Sequence, residues 1–148
     1  MKKYHIAVVP GDGIGKEVVP EAVRVLDALS DVHGGVQFDY TWYPYSSDYY
    51  VEHEKMMDDD GLDRLAQHDA VFLGAVGNPE LVPDHISLWG LLIPIRREFE
   101  QVINVRPAKL LQGLKSPLEN PKNFDFVVIR ENSEGEYSEI GGRIHNGE

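Results

Sequence analysis

The sequence predicts an α/β fold with a mixed, largely parallel sheet flanked by helices. Three observations carry that prediction. Short apolar runs alternate with segments of helical periodicity, as strand–helix–strand units do. Two of those runs end in glycine-rich turns, "GDGIG" at 11–15 and "GAVGNP" at 74–79. The composition is globular, 42% hydrophobic and 26% charged over 148 residues, enough for one ordinary domain with its own core.

Tyr4 to Pro10 ("YHIAVVP") reads as a buried first strand. Glu17 to Leu29 carries Val18, Ala22, Val25, Leu26 and Leu29 at helical spacing. Pro20 suits a first turn better than a helix interior, so this helix is expected to start late or to kink. Gly34 and Gly35 stop it, and Val36 to Trp42 alternates as a half-buried strand. Asp58 to Gln67 reads as a short helix with an acidic, solvated start, in preference to a metal site at the three aspartates. Ala70 to Leu73 is a second buried strand. Ser87 to Gln101 reads as one helix, and Ile103 to Leu111 as a mostly buried strand. Gln112 to Asn123, rich in Pro, Asn and Gly, reads as loop, and Phe124 to Ile129 as another buried strand. The closing run "EYSEIGGRIHNGE" has turn and strand signals but no closing element, as expected of the first part of a longer polypeptide.

Lys and Arg total 14 against 25 Asp and Glu, a formal charge of −11. That charge repels nucleic acid and anionic membranes, so neither is the expected partner. There is no cysteine, which removes disulfides, thiolate zinc sites and cysteine nucleophiles. No apolar stretch is long enough to span a bilayer, and the N-terminus has no small-residue cleavage site, so a cytoplasmic protein is expected. The six histidines, at 5, 33, 53, 68, 85 and 145, have no paired metal-ligand spacing and read as surface or structural.

"VVPGDGIGKEV" at 8–18 fails the standard phosphate patterns. Glu17 stands where a Walker loop needs a hydroxyl residue, and the third glycine comes one residue early for a dinucleotide fingerprint. Gly11, Gly13 and Gly15 could form a tight structural turn or a loop facing a ligand. Arg96, Arg106 and Arg130 carry more information in so acidic a chain. Each could pair with an internal carboxylate such as Glu131 or Glu134, or aim its planar fork at a substrate carboxylate. Arg97 points away from Arg96 on a helix and reads as solvent-facing or paired with Glu98 or Glu100. Tyr137 could be a general acid or a plain core or interface tyrosine.

Four stretches together resemble the metal-dependent decarboxylating dehydrogenases, the isocitrate/isopropylmalate dehydrogenase family. They are "PGDGIGKEV" at the start, "GAVGNP" at 74–79, "RREF" and "NVRPAKL" within 96–110, and "VVIRENSEGEYSEIGGR" at 127–143. Within that family, "VPDHISLWG" at 82–90 is most similar to the tartrate/D-malate branch. The resemblance implies an isopropylmalate-dehydrogenase-like fold that is incomplete in this chain. Residues 1–104 would begin the cofactor-side domain, and 105–148 would begin a second domain leading to a dimer-forming arm. It implies that Arg96, Arg106 and Arg130 grip the malate core of the substrate and that Tyr137 helps protonate the enol left by decarboxylation. It places the PGDGIG loop beside the cofactor cleft, with Ile14, Gly77, Asn78 and Trp89 as cofactor-side residues.

Isocitrate-type members would carry Ser and Asn where this chain has Gly90 and Leu92, and isopropylmalate-type members carry Glu where it has Trp89. The resemblance thus implies that Trp89 and Leu92 lie on the substrate side, where a bulky Trp89 would shorten the pocket and suit a small C4 acid. The implied activity is NAD-dependent oxidative decarboxylation of a small (2R)-hydroxy diacid, D-malate or tartrate, by a homodimer using Mg²⁺ or Mn²⁺. The metal ligands, the catalytic lysine and the adenine-binding loops would lie beyond Glu148, so the 148 residues alone are expected to be inactive. The alternatives are 3-isopropylmalate dehydrogenase and, in another class, a non-catalytic binding or regulatory fragment.

Overall fold

In the structure, a computed structural model, residues 1–119, 121, 123–138 and 140–141 are described. The chain divides into two compact units, Met1–Phe99 and Glu100–Glu148. The run from 142 onward, with His145 and the end of the stretch expected to lead to the dimer arm, lies outside the described residues. Among the described residues no helix is long and apolar enough to cross a membrane.

The first unit contains β1 (Lys2–Gly11), α1 (Gly15–His33), β2 (Val36–Trp42), α2 (Ser47–His53), α3 (Gly61–Ala66) and β3 (Ala70–Ala75). A helical run follows, made of α4 (Asp84–Ser87), a π turn (Leu88–Leu92) and α5 (Ile93–Glu98). The sheet is parallel in the order β2-β1-β3. β1 is central and buried on both faces, which is why "IAVV" shows no polar alternation. Ile6 and Val8 pack with Val19 and Val23 of α1. Ala7 and Val9 point the other way, into a core with Tyr45, Met56, Leu65, Val82, Leu91 and Ile95. β3 is half-buried rather than buried, because among the described residues it pairs only with β1.

α1 differs from the sequence expectation in two ways. It starts early, at Gly15, so Pro20 lies inside it and deprives the second turn of one N–H. Its packing face is Gly15, Val19 and Val23, while Val18, Val25 and Leu29 are exposed. The reason is steric. A Cβ at Gly15 would overlap the Pro10 carbonyl oxygen, and one at Gly74 would meet both that oxygen and Val19. Only the face that starts with a glycine can approach the sheet so closely.

α2 has no counterpart in the sequence reading, although Ser46 caps it by accepting a hydrogen bond from the Tyr49 N–H at 3.1 Å. α3 is shorter than expected, and the three aspartates ahead of it have separate partners. Asp58 accepts from the Tyr45 and Tyr49 hydroxyls and from Arg64 Nη1, Asp59 binds Lys55, and Asp60 binds Arg64 Nε. The Tyr49 hydrogen bond, with help from Tyr45 and Arg64, holds the Asp58 carboxyl below its ordinary range. Asp58 is thus a latch between α2 and α3 rather than a solvated helix start.

The single helix expected from Ser87 is interrupted. Within the π turn the Ile93 N–H reaches the Leu88 carbonyl, five residues back. Pro94 follows immediately, and its ring crowds the carbonyl four residues before it while offering no N–H, so the ladder shifts ahead of it.

The second unit is an antiparallel ribbon of β4 (Ile103–Lys109) and β5 (Asp125–Glu131), followed by a 3₁₀ turn, Gly135–Tyr137. Both strands read as buried from sequence, and both are exposed: Val105 is 60% and Ile129 63% accessible. A two-stranded ribbon has two faces to cover, and among the described residues β4 and β5 pair only with each other.

Candidate functional site

The glycine loop after β1 is closed by its own backbone. Gly11 has φ +73°, and a Cβ there would overlap the Ala75 carbonyl oxygen, so both conformation and close approach require glycine. The Asp12 N–H donates to that same Ala75 oxygen at 2.6 Å, and the Gly15 and Lys16 N–H groups return to the Asp12 and Gly13 carbonyls. The buried Asp12 carboxylate accepts from the Ser47 N–H and Ser47 Oγ, each at 2.7 Å, and from the Gly77 N–H at 2.8 Å. A phosphate arriving here would meet the Asp12 carboxylate, with the Asp12, Gly15 and Lys16 N–H groups already paired. The loop is a structural turn that ties the carboxyl ends of β1 and β3 together.

That junction is also where ligands bind in open parallel sheets, because the strand order reverses across β1. Ile14 precedes α1 with its side chain 58% exposed. Gly77, at φ +132°, has open space where a Cβ would stand, and Asn78 follows it. The described residues also form a cleft of about 460 Å³ lined by Gly11, Lys16, Trp42, Tyr43, Asp48 and Glu52, among others. It lies on the β2 side of β1 and includes none of the residues expected to bind substrate or cofactor. Lys16 and Asp48 form an ion pair at its edge, which raises the lysine above its ordinary pKa.

Trp89 and Leu92 sit on the π turn and Arg96 on α5 just beyond it. The wider turn re-registers Trp89 and Leu92 relative to Arg96, compared with a continuous α-helix. Arg97 is exposed, as expected, and its guanidinium carbon lies 5.0 Å from the Trp89 ring centroid. Gly90 faces Met56: a Cβ at 90 would stand 2.7 Å from Met56 Cγ.

In the second unit the strand register does what spacing alone could not. Asn104 pairs with Arg130 and Arg106 with Val128, so Arg106 and Arg130 project from the same face of the ribbon. Asn104 Oδ1 accepts from Arg106 Nε at 3.2 Å, while its amide donates to Asn132 Oδ1 at 3.3 Å. Asn132 is buried and anchored by its amide to the Gln101 carbonyl. Arg130 Nη2 donates to the Tyr137 hydroxyl at 2.6 Å, and its guanidinium lies over the Tyr137 ring. Glu131 projects from the opposite face. Its Oε1 takes the Ser133 and Glu134 N–H groups, each at 2.8 Å, and these bonds, Ser133 first, hold its carboxyl below the ordinary range. Asp12, Ser47, Asn104 and Asn132 were missed from sequence. Asp12 alone had a signal, as an acidic residue between two turn glycines.

A family model described as isocitrate/isopropylmalate dehydrogenase matches residues 5–147. The chain is 65% identical, over all of its length and 42% of the relative's, to a probable tartrate dehydrogenase/decarboxylase of Bacillus subtilis. It is 51% identical, over 99% of its length and 41% of the relative's, to the decarboxylating D-malate dehydrogenase of Escherichia coli. Among solved structures, isocitrate dehydrogenase from Methylococcus capsulatus superposes with a TM-score of 0.70 at 27% identity, over 95% of this chain and 37% of that one. The chain spans about two fifths of the length of the curated relatives it matches.

Proposed function

The chain belongs to the isocitrate/isopropylmalate dehydrogenase family, and from that membership we propose that the whole protein oxidises and decarboxylates a small (2R)-hydroxy diacid. D-malate and tartrate are the proposed substrates, in a cytoplasmic homodimer that uses NAD and Mg²⁺ or Mn²⁺. The observation that carries the reading is the ribbon face on which Arg106 and Arg130 stand together, with Tyr137 bonded to Arg130. The relatives named for tartrate and D-malate support the choice of acid.

Two guanidinium forks on one face suit a dicarboxylate, because each can donate two parallel N–H bonds to a carboxylate without losing its charge. In this proposal Arg96 is a third cation for the substrate, with Trp89 and Leu92 as further substrate-side residues on the same helical run. When bound, NAD supplies the acceptor for the hydride leaving C2. Ile14, with its exposed apolar side chain, and the open backbone at Gly77–Asn78 suit the edge of a flat ring. Among the described residues no group of three or more His, Asp or Glu is arranged to hold a metal ion. No residue among them is therefore assigned to the cation.

Tyr137 has a defined part. A guanidinium only donates, so the phenol oxygen accepts from Arg130 and its own proton is directed away from that cation. Loss of the β-carboxylate as CO₂ leaves an enol, and Tyr137 supplies the proton that C3 takes up. Steady-state assays of the full-length protein with NAD and Mn²⁺ test the reading. The expected result is a higher kcat/KM for D-malate or tartrate than for isopropylmalate. The reverse order would transfer the assignment to isopropylmalate oxidation.

A further inference from the structure

We infer that Asp12 is a positioning residue for the cofactor loop, holding Ile14, Gly77 and Asn78 in one constellation at the carboxyl ends of β1 and β3. The inference rests on the proposed NAD reading of those three residues and adds the group that would hold them. Asp12 is 5% exposed, and its carboxylate accepts three hydrogen bonds from neutral donors, the Ser47 N–H, the Ser47 hydroxyl and the Gly77 N–H. The partners come from segments 35 and 65 residues away in sequence, so one side chain joins the turn after β1, the start of α2 and the loop after β3.

The chemistry calls for a carboxylate. Both oxygens face N–H donors, Oδ1 the Ser47 amide and Oδ2 the Gly77 amide. An asparagine would place its NH₂ against one of them, donor against donor, and lose that bond. Gly77 needs such an anchor more than most residues, since φ +132° is a conformation that only glycine adopts readily and glycine has the least side-chain packing to hold it there. Asn78, next in the chain, accepts the Leu81 and Val82 N–H groups on its carbonyl, so an anchored Gly77 passes its position on to that turn. Ile14 is two residues from Asp12 within the loop that the Asp12 backbone closes through Ala75 and Gly15.

Two measurements on the full-length enzyme, wild type and Asp12→Asn, test this. The first is amide hydrogen exchange at residues 76–78. The second is the set of steady-state constants for NAD and for the hydroxy acid. The expected result is at least tenfold faster exchange at 76–78, an NAD KM raised at least tenfold, and a hydroxy-acid KM changed less than twofold. Unchanged exchange at 76–78 overturns the anchor whatever the kinetics. Faster exchange with an unchanged NAD KM overturns the positioning role and leaves a structural contact. A wild-type enzyme that does not turn over NAD sinks the functional reading instead, and with it the cofactor part of this inference, while the exchange data still report on the anchor. If Asp12→Asn does not fold, Ser47→Ala removes one donor and keeps the Gly77 bond. An NAD KM raised two- to fivefold with the hydroxy-acid KM unmoved then supports the inference, and equal movement of the two overturns it.

Discussion

Arg130 and Tyr137 are joined by a 2.6 Å hydrogen bond from Nη2 to the phenol oxygen, and the guanidinium carbon lies 5.5 Å from the centroid of the same ring. The bond links the end of β5 to the 3₁₀ turn that follows it. A cation proposed to hold a carboxylate and a hydroxyl proposed to deliver a proton therefore share one hydrogen bond, and changes at the two positions should have distinguishable effects.

Arg130→Lys keeps the charge but loses the planar fork and one of its two directions of donation. The expected outcome is a raised hydroxy-acid KM and a kcat/KM lowered more than tenfold, or over ~1.4 kcal/mol. Arg97→Lys keeps a cation near the Trp89 ring and should change kcat/KM less than about threefold, since cation–π contacts at exposed sites contribute only ~0.5–1 kcal/mol. Equal losses in the two variants would show that the wrong arginines carry the substrate role.

Tyr137→Phe keeps the ring beneath Arg130 and removes the proton donor. Substrate affinity should hold within a few-fold while turnover falls by about 10²–10⁴, the usual contribution of a positioned acid. Thermal melts and sedimentation run beside the kinetics separate this from a structural role. A variant that melts early yet turns over normally per folded site removes Tyr137 from the chemistry.

Asp58→Asn should destabilise the protein at pH 7 by about 1–2 kcal/mol, the scale of hydrogen bonds to a partly exposed charged group. The folded-state pKa of Asp58 is lowered from an ordinary value of 3.8, first by the Tyr49 hydroxyl. Its stabilisation is therefore full above that ordinary value and fades as pH falls through the lower, folded value. Denaturation curves of both proteins from pH 7 to pH 2 should begin to draw together only below that ordinary value. A difference that stays constant across that range would mean the carboxylate charge is not what stabilises the latch.

Gly90→Ser tests the packing between the π turn and Met56. Because a Cβ at 90 would crowd the buried Met56 side chain, the variant should lose about 1–3 kcal/mol of stability, the usual cost of overpacking a filled core. Met56→Ala in the same protein should give back part of that loss. An unchanged melting temperature in Gly90→Ser would show that Met56 yields without cost.

Much of the fold was legible in the sequence. β1 was visible because "IAVV" is apolar on both faces, and β2 because "VQFDYTW" alternates as a half-buried strand does. The family was visible because glycines, arginines and a tyrosine recur in a fixed order along the whole chain. These features are local or linear. Tertiary structure decided the rest. Several faces of α1 carry apolar residues, and only the close approach at Gly15 and Gly74 selects Val19 and Val23 for burial. "FVVI" reads as buried by composition, but burial needs a second layer, and a ribbon that among the described residues pairs only with itself leaves its side chains exposed. The common face of Arg106 and Arg130 follows from the β4–β5 register, which is set by long-range pairing rather than by spacing along the chain. Asp12 was legible as a turn residue but not as an anchor, because its donors at Ser47 and Gly77 arrive only when the sheet has brought distant segments together.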